Sequence, residues 1–181
     1  MSDVPGEAGP FTVYIVGEDL NHAGSICYDD NRDGAPDRCV TSDGVAAFQV
    51  KVDYDPKILA AGAVHSGPEL TRSGRSFQCL PPDAKPGSIT FGCLSQGDAT
   101  VGVAGTLTLA SLEFIPRGNG LSPLALDAEL AGPLGDTVTV SVGGGAARVS
   151  GVVVAAPTVD AGISPAPGES STPPETSGTP P

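Results

Sequence analysis

The chain has 181 residues and a formal net charge of −12, and it contains 25 glycines, 18 prolines and no tryptophan. Such an acidic chain repels phosphate backbones, which argues against nucleic acid as a partner. Its longest apolar run, at residues 152–156, falls far short of the about 20 residues that a membrane-spanning helix needs. So much glycine and proline also disfavours long helices, and the length suits one domain followed by a tail.

Short segments of alternating apolar and polar residues follow one another along most of the chain. The clearest lies at residues 48–54 and has the period of two that is typical of a strand with one buried face. The alternation changes phase between Leu109 and Leu112, which predicts a β-bulge near Ala110 and Ser111. With no amphipathic helix in the sequence, this pattern predicts an all-β fold, an antiparallel β-sandwich. The predicted strands cover residues 11–16, 48–54, 58–65, 77–79, 89–93, 107–114, 124–130, 138–142 and 147–153.

The end of the chain has a different composition. Residues 157–181 are mostly proline, serine, threonine, glycine and glutamate, with almost no large apolar side chain. Such a segment cannot bury enough apolar surface to offset its ordering entropy, so we predict a disordered Pro/Ser/Thr-rich linker. A frayed terminus without a function is the alternative.

Four cysteines allow three disulfide connectivities. We predict Cys27–Cys39 and Cys79–Cys93, because each of these pairs closes a short loop and its two members share a similar local context. Disulfides indicate an oxidising compartment.

Zinc binding by the cysteines is the competing interpretation. The sequence contains no C-x-x-C pair, and His22 and His65 are not placed at zinc-ligand spacing. Both histidines are therefore interpreted as surface residues.

An acidic loop between Cys27 and Cys39 has the spacing of a calcium-binding loop. Its ligands would be Asp29, Asn31 and Asp33 at positions 1, 3 and 5, the carbonyl of Ala35 at position 7, and Asp37 at position 9. Calcium needs six to eight oxygen ligands, so the spacing predicts a structural Ca²⁺ that stiffens the loop.

The same loop departs from the full calcium pattern. Gly34 supplies the sharp turn at position 6, but position 12 is Val40 rather than a bidentate glutamate. Asp30 or Asp43 is a candidate replacement for that ligand. A solvated acidic loop held by its own hydrogen bonds, without an ion, is the alternative.

Several motifs occur in a recognisable order. The most specific is Tyr54-Asp55-Pro56 with Leu59 three residues later, and it is followed by residues 87–91, 105–114 and 122–126. Together these segments resemble the cohesin domain family over most of residues 11–154. The resemblance implies a jelly-roll sandwich, related to carbohydrate-binding modules, that binds dockerin modules and assembles or anchors extracellular polysaccharide-degrading enzymes.

The resemblance also implies domain boundaries. We expect a disordered or truncated N-terminus at residues 1–10, a cohesin-like sandwich at 11–156 and the linker at 157–181. Residues 11–16 resemble the second strand of the family, so the first is absent or reduced to residues before Pro10. Residues 21–44 form an insertion that carries the acidic loop. No secretory signal precedes the sandwich, and the resemblance favours a fragment of a longer extracellular or cell-surface protein over a cytosolic chain.

The predicted partner-binding face lies on the strand before Tyr54. Its outward residues are Ala47, Gln49, Lys51 and Asp53. The family commonly presents an asparagine and an aspartate at the positions of Ala47 and Gln49, and neither is kept here, which argues against ordinary dockerin recognition. A solvated sheet face without a partner is the alternative.

The resemblance therefore predicts a non-catalytic protein–protein interaction module with a dockerin-like module or another surface protein as partner. A carbohydrate-binding module and a structural spacer are the alternatives. Sugar rings stack on exposed aromatic faces, and the three tyrosines, Tyr14, Tyr28 and the presumed core residue Tyr54, make a poor platform. An enzyme is disfavoured because no acidic residue lies in a catalytic motif, and His65 and Ser66 would point to opposite faces of a strand.

Overall fold

The computed structural model describes residues 2–3, 9–72, 74–97 and 100–152, with the backbone alone described at 2–3. Within these ranges the chain forms strands and one 3₁₀ turn, Pro68–Thr71, and no α-helix. None of the described residues belongs to a helix that is long and apolar enough to cross a membrane. The strands are β1 (Ser2–Asp3), β2 (Phe11–Gly17), β3 (Ala23–Tyr28), β4 (Arg38–Asp43), β5 (Ala47–Asp53), β6 (Leu59–Ser66), β7 (Ser76–Cys79), β8 (Asp83–Lys85), β9 (Ser88–Gln96), β10 (Leu107–Pro116), β11 (Gly120–Ala131), β12 (Thr137–Val138) and β13 (Gly145–Val149).

The strands form a large sheet, a small sheet and a separate hairpin. The large sheet has the order β1-β13-β11-β5-β9-β7, with β8 also pairing with β9 and β12 also pairing with β11. The small sheet has the order β2-β10-β6, and β3 pairs with β4 in the hairpin. Each of these strand pairs is antiparallel except β1–β13.

The two sheets enclose one apolar core. Phe48 and Phe91 of the large sheet lie with ring centroids 6.0 Å apart. Phe114 of the small sheet contacts Tyr54 edge-on at 5.3 Å and Phe11 at 5.9 Å. Four of these rings, those of Phe48, Phe91, Phe114 and Tyr54, belong to a single buried cluster with buried aliphatic residues of both sheets, and Phe11 packs against it. The predicted antiparallel sandwich, and the core position of Tyr54, are therefore confirmed.

The Tyr54-Asp55-Pro56 turn joins three strands of the large sheet. The Tyr54 amide donates to the carbonyl of Gly87 at 2.9 Å, and the Tyr54 hydroxyl donates to the carbonyl of Lys85 at 3.2 Å. The Asp55 amide donates to Oγ of Ser122 at 2.9 Å, and Ser122 is fully buried. The motif that carries the resemblance is thus a packing element, which fixes the end of β5 against β8 and β11.

The predicted bulge in β10 is present. The pairing of β10 with β2 shifts register between Thr108 and Ala110, and the pairing with β6 shifts between Leu112 and Phe114. Leu109 and Ala110 are both buried although they are neighbours in sequence. The extra residue rotates the strand, which explains why the alternating pattern changes phase.

The ends of the sandwich differ in part from the sequence prediction. Ser2–Asp3, which lies before Pro10 as predicted for a reduced first strand, pairs in parallel with Ala147 and Arg148 of β13. The strand predicted at 138–142 is wrong beyond Val138, because β12 pairs with β11 only through Thr137 and Val138. The predicted linker at 157–181 lies outside the described residues, and the domain boundaries stay predictions.

Candidate partner-binding face

The central strand of the large sheet presents the predicted partner-binding residues on its outer side. In β5 the buried residues Phe48, Val50 and Val52 alternate with outward-facing ones. Because successive side chains of a strand point to opposite faces, every predicted residue of this face lies on the side away from the core. These residues are Ala47, Gln49, Lys51 and Asp53.

One end of this outer face is apolar. Ala47 lies directly between Leu94 of β9 and Ala131 of β11 in the strand register. Leu94 and the neighbouring Leu80 are 40 % and 58 % exposed. All four line an open groove with a volume of about 690 Å³. Exposed aliphatic side chains gathered in a groove favour contact with a partner over a purely solvated face.

The short strand β12 forms one wall of this groove. Thr137 and Thr139 are exposed, whereas Val138 between them is buried in the core. All three residues, together with Val140, line the groove. The position of the wall therefore depends on the core packing of Val138 and on the contacts of the residues that flank it.

The middle of the outer face is charged. Nζ of Lys51 lies 2.8 Å from Oδ2 of Asp53, and hydrogen bonds from Lys51 and then Ser88 hold the pKa of Asp53 below its ordinary value. Asp127 and Glu129 on β11 are exposed and face the same side, opposite Lys51 and Gln49. Neither carboxylate forms an ion pair with a described residue. The face therefore carries uncompensated negative charge next to its apolar end.

This chemistry differs from what the resemblance implies for the family. A methyl group stands at Ala47 and a neutral amide at Gln49, where the family commonly has an asparagine and an aspartate. Gln49 lies opposite Gly92 of β9, which has no side chain to cover it. The apolar end, rather than an Asn–Asp pair, is therefore the distinctive feature of this face.

Both predicted disulfides are present. Cys27 and Cys39 are directly opposed in the β3–β4 hairpin, and Cys79 and Cys93 are directly opposed in β7 and β9. Cys93 is 3 % exposed and belongs to the core, whereas Cys27 and Cys39 are exposed. One bridge thus closes the inserted hairpin, and the other ties the edge of the large sheet to its interior.

The acidic loop of the hairpin is tightly hydrogen-bonded. The carboxylate of Asp29 accepts from the amides of Asp33 at 3.2 Å and Gly34 at 2.8 Å, and Asn31 Oδ1 accepts from the Asp33 amide at 2.9 Å. Asp33 Oδ1 accepts from the amide of Ala35 at 2.9 Å. Gly34 has a φ of +90°, which confirms the predicted sharp turn.

Asp37 closes the same loop. Its Oδ2 accepts from the amides of Asp30 and Asn31, and Nδ2 of Asn31 lies 3.2 Å from both Asp33 Oδ2 and Asp37 Oδ1. In the described ranges no group of three or more histidine, cysteine, aspartate or glutamate side chains is arranged to hold a metal ion. Calcium binding by Asp29, Asn31, Asp33, Ala35 and Asp37 stays a prediction.

The two proposed replacements for the missing calcium ligand, Asp30 and Asp43, lie at opposite ends of the hairpin. Asp30 lies in the loop, where its Oδ2 accepts from Nε of Arg38 at 3.1 Å. Asp43 pairs with Ala23 at the base of the hairpin, at the opposite end of β4 from the loop. Asp43 is therefore wrong as a candidate ligand.

The tyrosines do not form a common platform. Tyr14 is 65 % exposed on β2 of the small sheet, and Tyr28 is 39 % exposed at the end of β3. The guanidinium of Arg38 lies 4.3 Å above the Tyr28 ring. Since the two exposed rings belong to different sheets, they do not provide the paired stacking surface that an extended sugar chain uses.

One contact of His22 was missed by the sequence analysis. His65 is exposed as expected, but His22 is half-buried and its Nε2 contacts Oδ2 of Asp136, which lies directly before β12. The contact holds the pKa of Asp136 below its ordinary value, chiefly through the hydrogen bond from His22. The two residues are 114 positions apart, so no local pattern could have indicated the pair.

The described residues form an antiparallel sandwich, and its large sheet carries the outer face described above. No protein-family model matches the sequence, and no curated protein matches it. Solved structures do match. A type II cohesin dyad from the adaptor ScaA scaffoldin of Acetivibrio cellulolyticus is 10 % identical, with a TM-score of 0.55, over 82 % of this chain and 46 % of that one.

Two further solved structures are similar. A type I cohesin–dockerin complex from Clostridium thermocellum is 9 % identical, with a TM-score of 0.49, over 84 % of this chain and 100 % of that one. A non-cellulosomal cohesin from the archaeon Archaeoglobus fulgidus is 19 % identical, with a TM-score of 0.47, over 77 % and 91 %. The match to the dyad shows that the fold of this chain is cohesin-like.

Proposed function

We propose that this chain is a non-catalytic protein–protein interaction module that binds a dockerin-type module through the outer face of β11, β5, β9 and β7. The observation that carries the proposal is the open groove on that face, which gathers the exposed Leu80 and Leu94 around Ala47. Association is driven mainly by burial of apolar surface, and this groove offers such surface on a rigid sheet.

The charge of the face specifies the partner further. Asp127 and Glu129 form no ion pair with any described residue, and the whole chain carries a net charge of −12. Complementary charge accelerates encounter and discriminates against wrong partners. The proposed partner therefore presents aliphatic side chains to the groove and lysine or arginine to these carboxylates.

The disulfides support a setting for the module. Bridges persist in oxidising compartments, and this chain forms two of them. We place the module outside the cell or at the cell surface, in a modular surface protein or a polysaccharide-degrading assembly.

A carbohydrate-binding module and a structural spacer remain the competing functions, and a capture experiment separates them. The immobilised chain is presented with a panel of dockerin modules and with insoluble cellulose, chitin and xylan. Capture of a dockerin supports the proposal. Retention on a polysaccharide alone would replace it with carbohydrate binding, and capture by neither would favour the spacer.

A further inference from the structure

The inserted hairpin contacts the chain segment that forms one wall of the partner groove. His22 lies at the base of the hairpin, directly before β3, and its Nε2 contacts Oδ2 of Asp136. Asp136 directly precedes Thr137 of β12. The contact therefore links residues 21–44, which the resemblance marks as an insertion, to the face where the partner is proposed to bind.

The Asp136 carboxylate fits closely between two glycines. A Cβ built on Gly24 of β3 would lie 2.5 Å from Asp136 Oδ2, and one built on Gly132 would lie 2.6 Å from Oδ1. The amide of Gly132 also donates to the carbonyl of Asp136 at 2.8 Å, which closes the turn between β11 and β12. Any larger side chain at Gly24 would displace the carboxylate, so this space is shaped for Asp136.

The pairing of the wall with the large sheet is short. The β11–β12 ladder consists of two residue pairs, Leu130 with Val138 and Ala131 with Thr137. Residues 139–144 belong to no strand, although Val138 is buried. The hydrogen bond of Asp136 with His22 therefore acts together with the core packing of Val138 and this short ladder to fix the start of the segment.

The hairpin itself does not depend on this contact. The Gly44 amide donates to the carbonyl of His22 at 2.6 Å, and Val45 and Val103 exchange backbone hydrogen bonds at 2.8 Å. The first bond closes the base of the hairpin on itself. The amide of Gly102 also donates to the carbonyl of Asp43 at 2.6 Å, and these bonds fasten the end of the hairpin to residues 102–103 rather than to β12. Removing the imidazole should therefore release the wall while the hairpin stays in place.

We infer that His22 is a positioning residue for partner binding: by contacting Asp136 it holds the Thr137–Val140 wall of the groove in its binding position. The inserted hairpin thereby stabilises the position of this wall on the partner face. The inference depends on the proposed function only through partner affinity, since the position of the wall is measurable without a partner.

The test compares His22→Ala, His22→Gln and Gly24→Ala with the unchanged chain. Gln keeps a side-chain N–H in the place of Nε2, and Gly24→Ala displaces Asp136 without altering His22. His65→Ala is the matched control, because His65 is exposed on the small sheet. Amide exchange of Gly132 and the methyl shifts of Val138 and Val140 report on the wall, and titration with a captured dockerin reports on affinity.

We expect His22→Ala and Gly24→Ala to lower the protection of the Gly132 amide from exchange. Both variants should also lower the affinity for the partner on the order of tenfold. His22→Gln should restore most of both quantities, and His65→Ala should change neither. The double variant of His22→Ala and Asp136→Asn should lose no more partner affinity than either single variant, since the two residues act through one contact.

Unchanged Gly132 exchange and unchanged methyl shifts in His22→Ala would overturn the inference, whether or not a dockerin binds. A more mobile wall with unchanged partner affinity would also overturn it, because the contact of His22 with Asp136 would then not contribute to partner binding. If no dockerin binds the unchanged chain, the proposed function fails while the exchange data still decide whether His22 holds the wall. Should His22→Ala fail to fold, Gly24→Ala gives the same comparison with the unchanged chain.

Discussion

The amide of Asp55 donates a hydrogen bond to the buried hydroxyl of Ser122 at 2.9 Å, across 67 residues of sequence. Ser122 in turn donates to the carbonyl of Pro123 at 3.2 Å. The contact fixes the Tyr54-Asp55-Pro56 turn at the end of β5, the strand that carries the proposed partner face.

Ser122→Ala should therefore destabilise the fold. It removes the acceptor and leaves the Asp55 amide without a partner in a part-buried position, which costs about 1–3 kcal/mol. Chemical denaturation measures this loss, with Ser111→Ala on the small sheet as the control. An unfolding free energy equal to that of the unchanged chain would mean that the turn does not depend on this hydrogen bond.

The two disulfides should contribute unequally to global stability. Their loops are similar, with sequence separations of 12 and 14, so chain entropy alone predicts similar contributions of about 2–4 kcal/mol. However, Cys93 is in the core, whereas the Cys27–Cys39 bridge lies in a two-stranded hairpin that can open locally.

We expect the double alanine variant of Cys79 and Cys93 to lose more thermal stability than that of Cys27 and Cys39. Non-reducing mass analysis of the unchanged chain should show both bridges. Equal losses in the two variants would show instead that the hairpin unfolds together with the sandwich.

The acidic loop gives a prediction about calcium. If the loop binds Ca²⁺, a concentration of 100 times the dissociation constant stabilises the fold by about 2.7 kcal/mol. Asp33→Asn should abolish the rise in melting temperature, and Asp83→Asn, which alters a carboxylate outside the loop, should not. A melting temperature that is the same in calcium and in EDTA would leave the loop as one held by its own hydrogen bonds.

The lowered pKa of Asp136 gives a pH dependence of stability. In the folded state the hydrogen bond from His22 lowers the pKa of this carboxyl, so that it stays ionised at pH values somewhat below its ordinary pKa of 3.8. Its contribution is therefore fully present above that value and is lost as the pH falls through the lower folded pKa.

The unfolding free energies of the unchanged chain and Asp136→Asn should thus differ more at about pH 6 than at about pH 3. Urea denaturation at both pH values measures this difference. A difference that stays constant or grows on acidification would contradict a stabilising role of the ionised carboxylate.

The sequence predicted those features whose signal is local. The period-two alternation at residues 48–54 placed Ala47, Gln49, Lys51 and Asp53 on the outer face, and the phase change in β10 located its bulge. The disulfide pairing was open among three connectivities, and the choice made from loop length and local context is confirmed by the directly opposed cysteines.

Other features depend on contacts between distant segments. The contact of His22 with Asp136 follows from the placement of an inserted hairpin beside β12, which no spacing in the sequence records. The apolar alternation at Val140 and Val142 predicted a strand, but a strand needs a partner to satisfy its backbone groups, and β11 pairs with β12 only as far as Val138.

The proposed partner binds the outer face of the large sheet at its apolar end. Leu94→Glu and Ile115→Glu provide the matched comparison, because these aliphatic residues are 40 % and 44 % exposed on opposite sheets. Calorimetric titration of a captured dockerin should show at least about tenfold weaker binding to Leu94→Glu and unchanged binding to Ile115→Glu. Full affinity of Leu94→Glu, or a loss confined to Ile115→Glu, would contradict binding at this face and place the partner elsewhere.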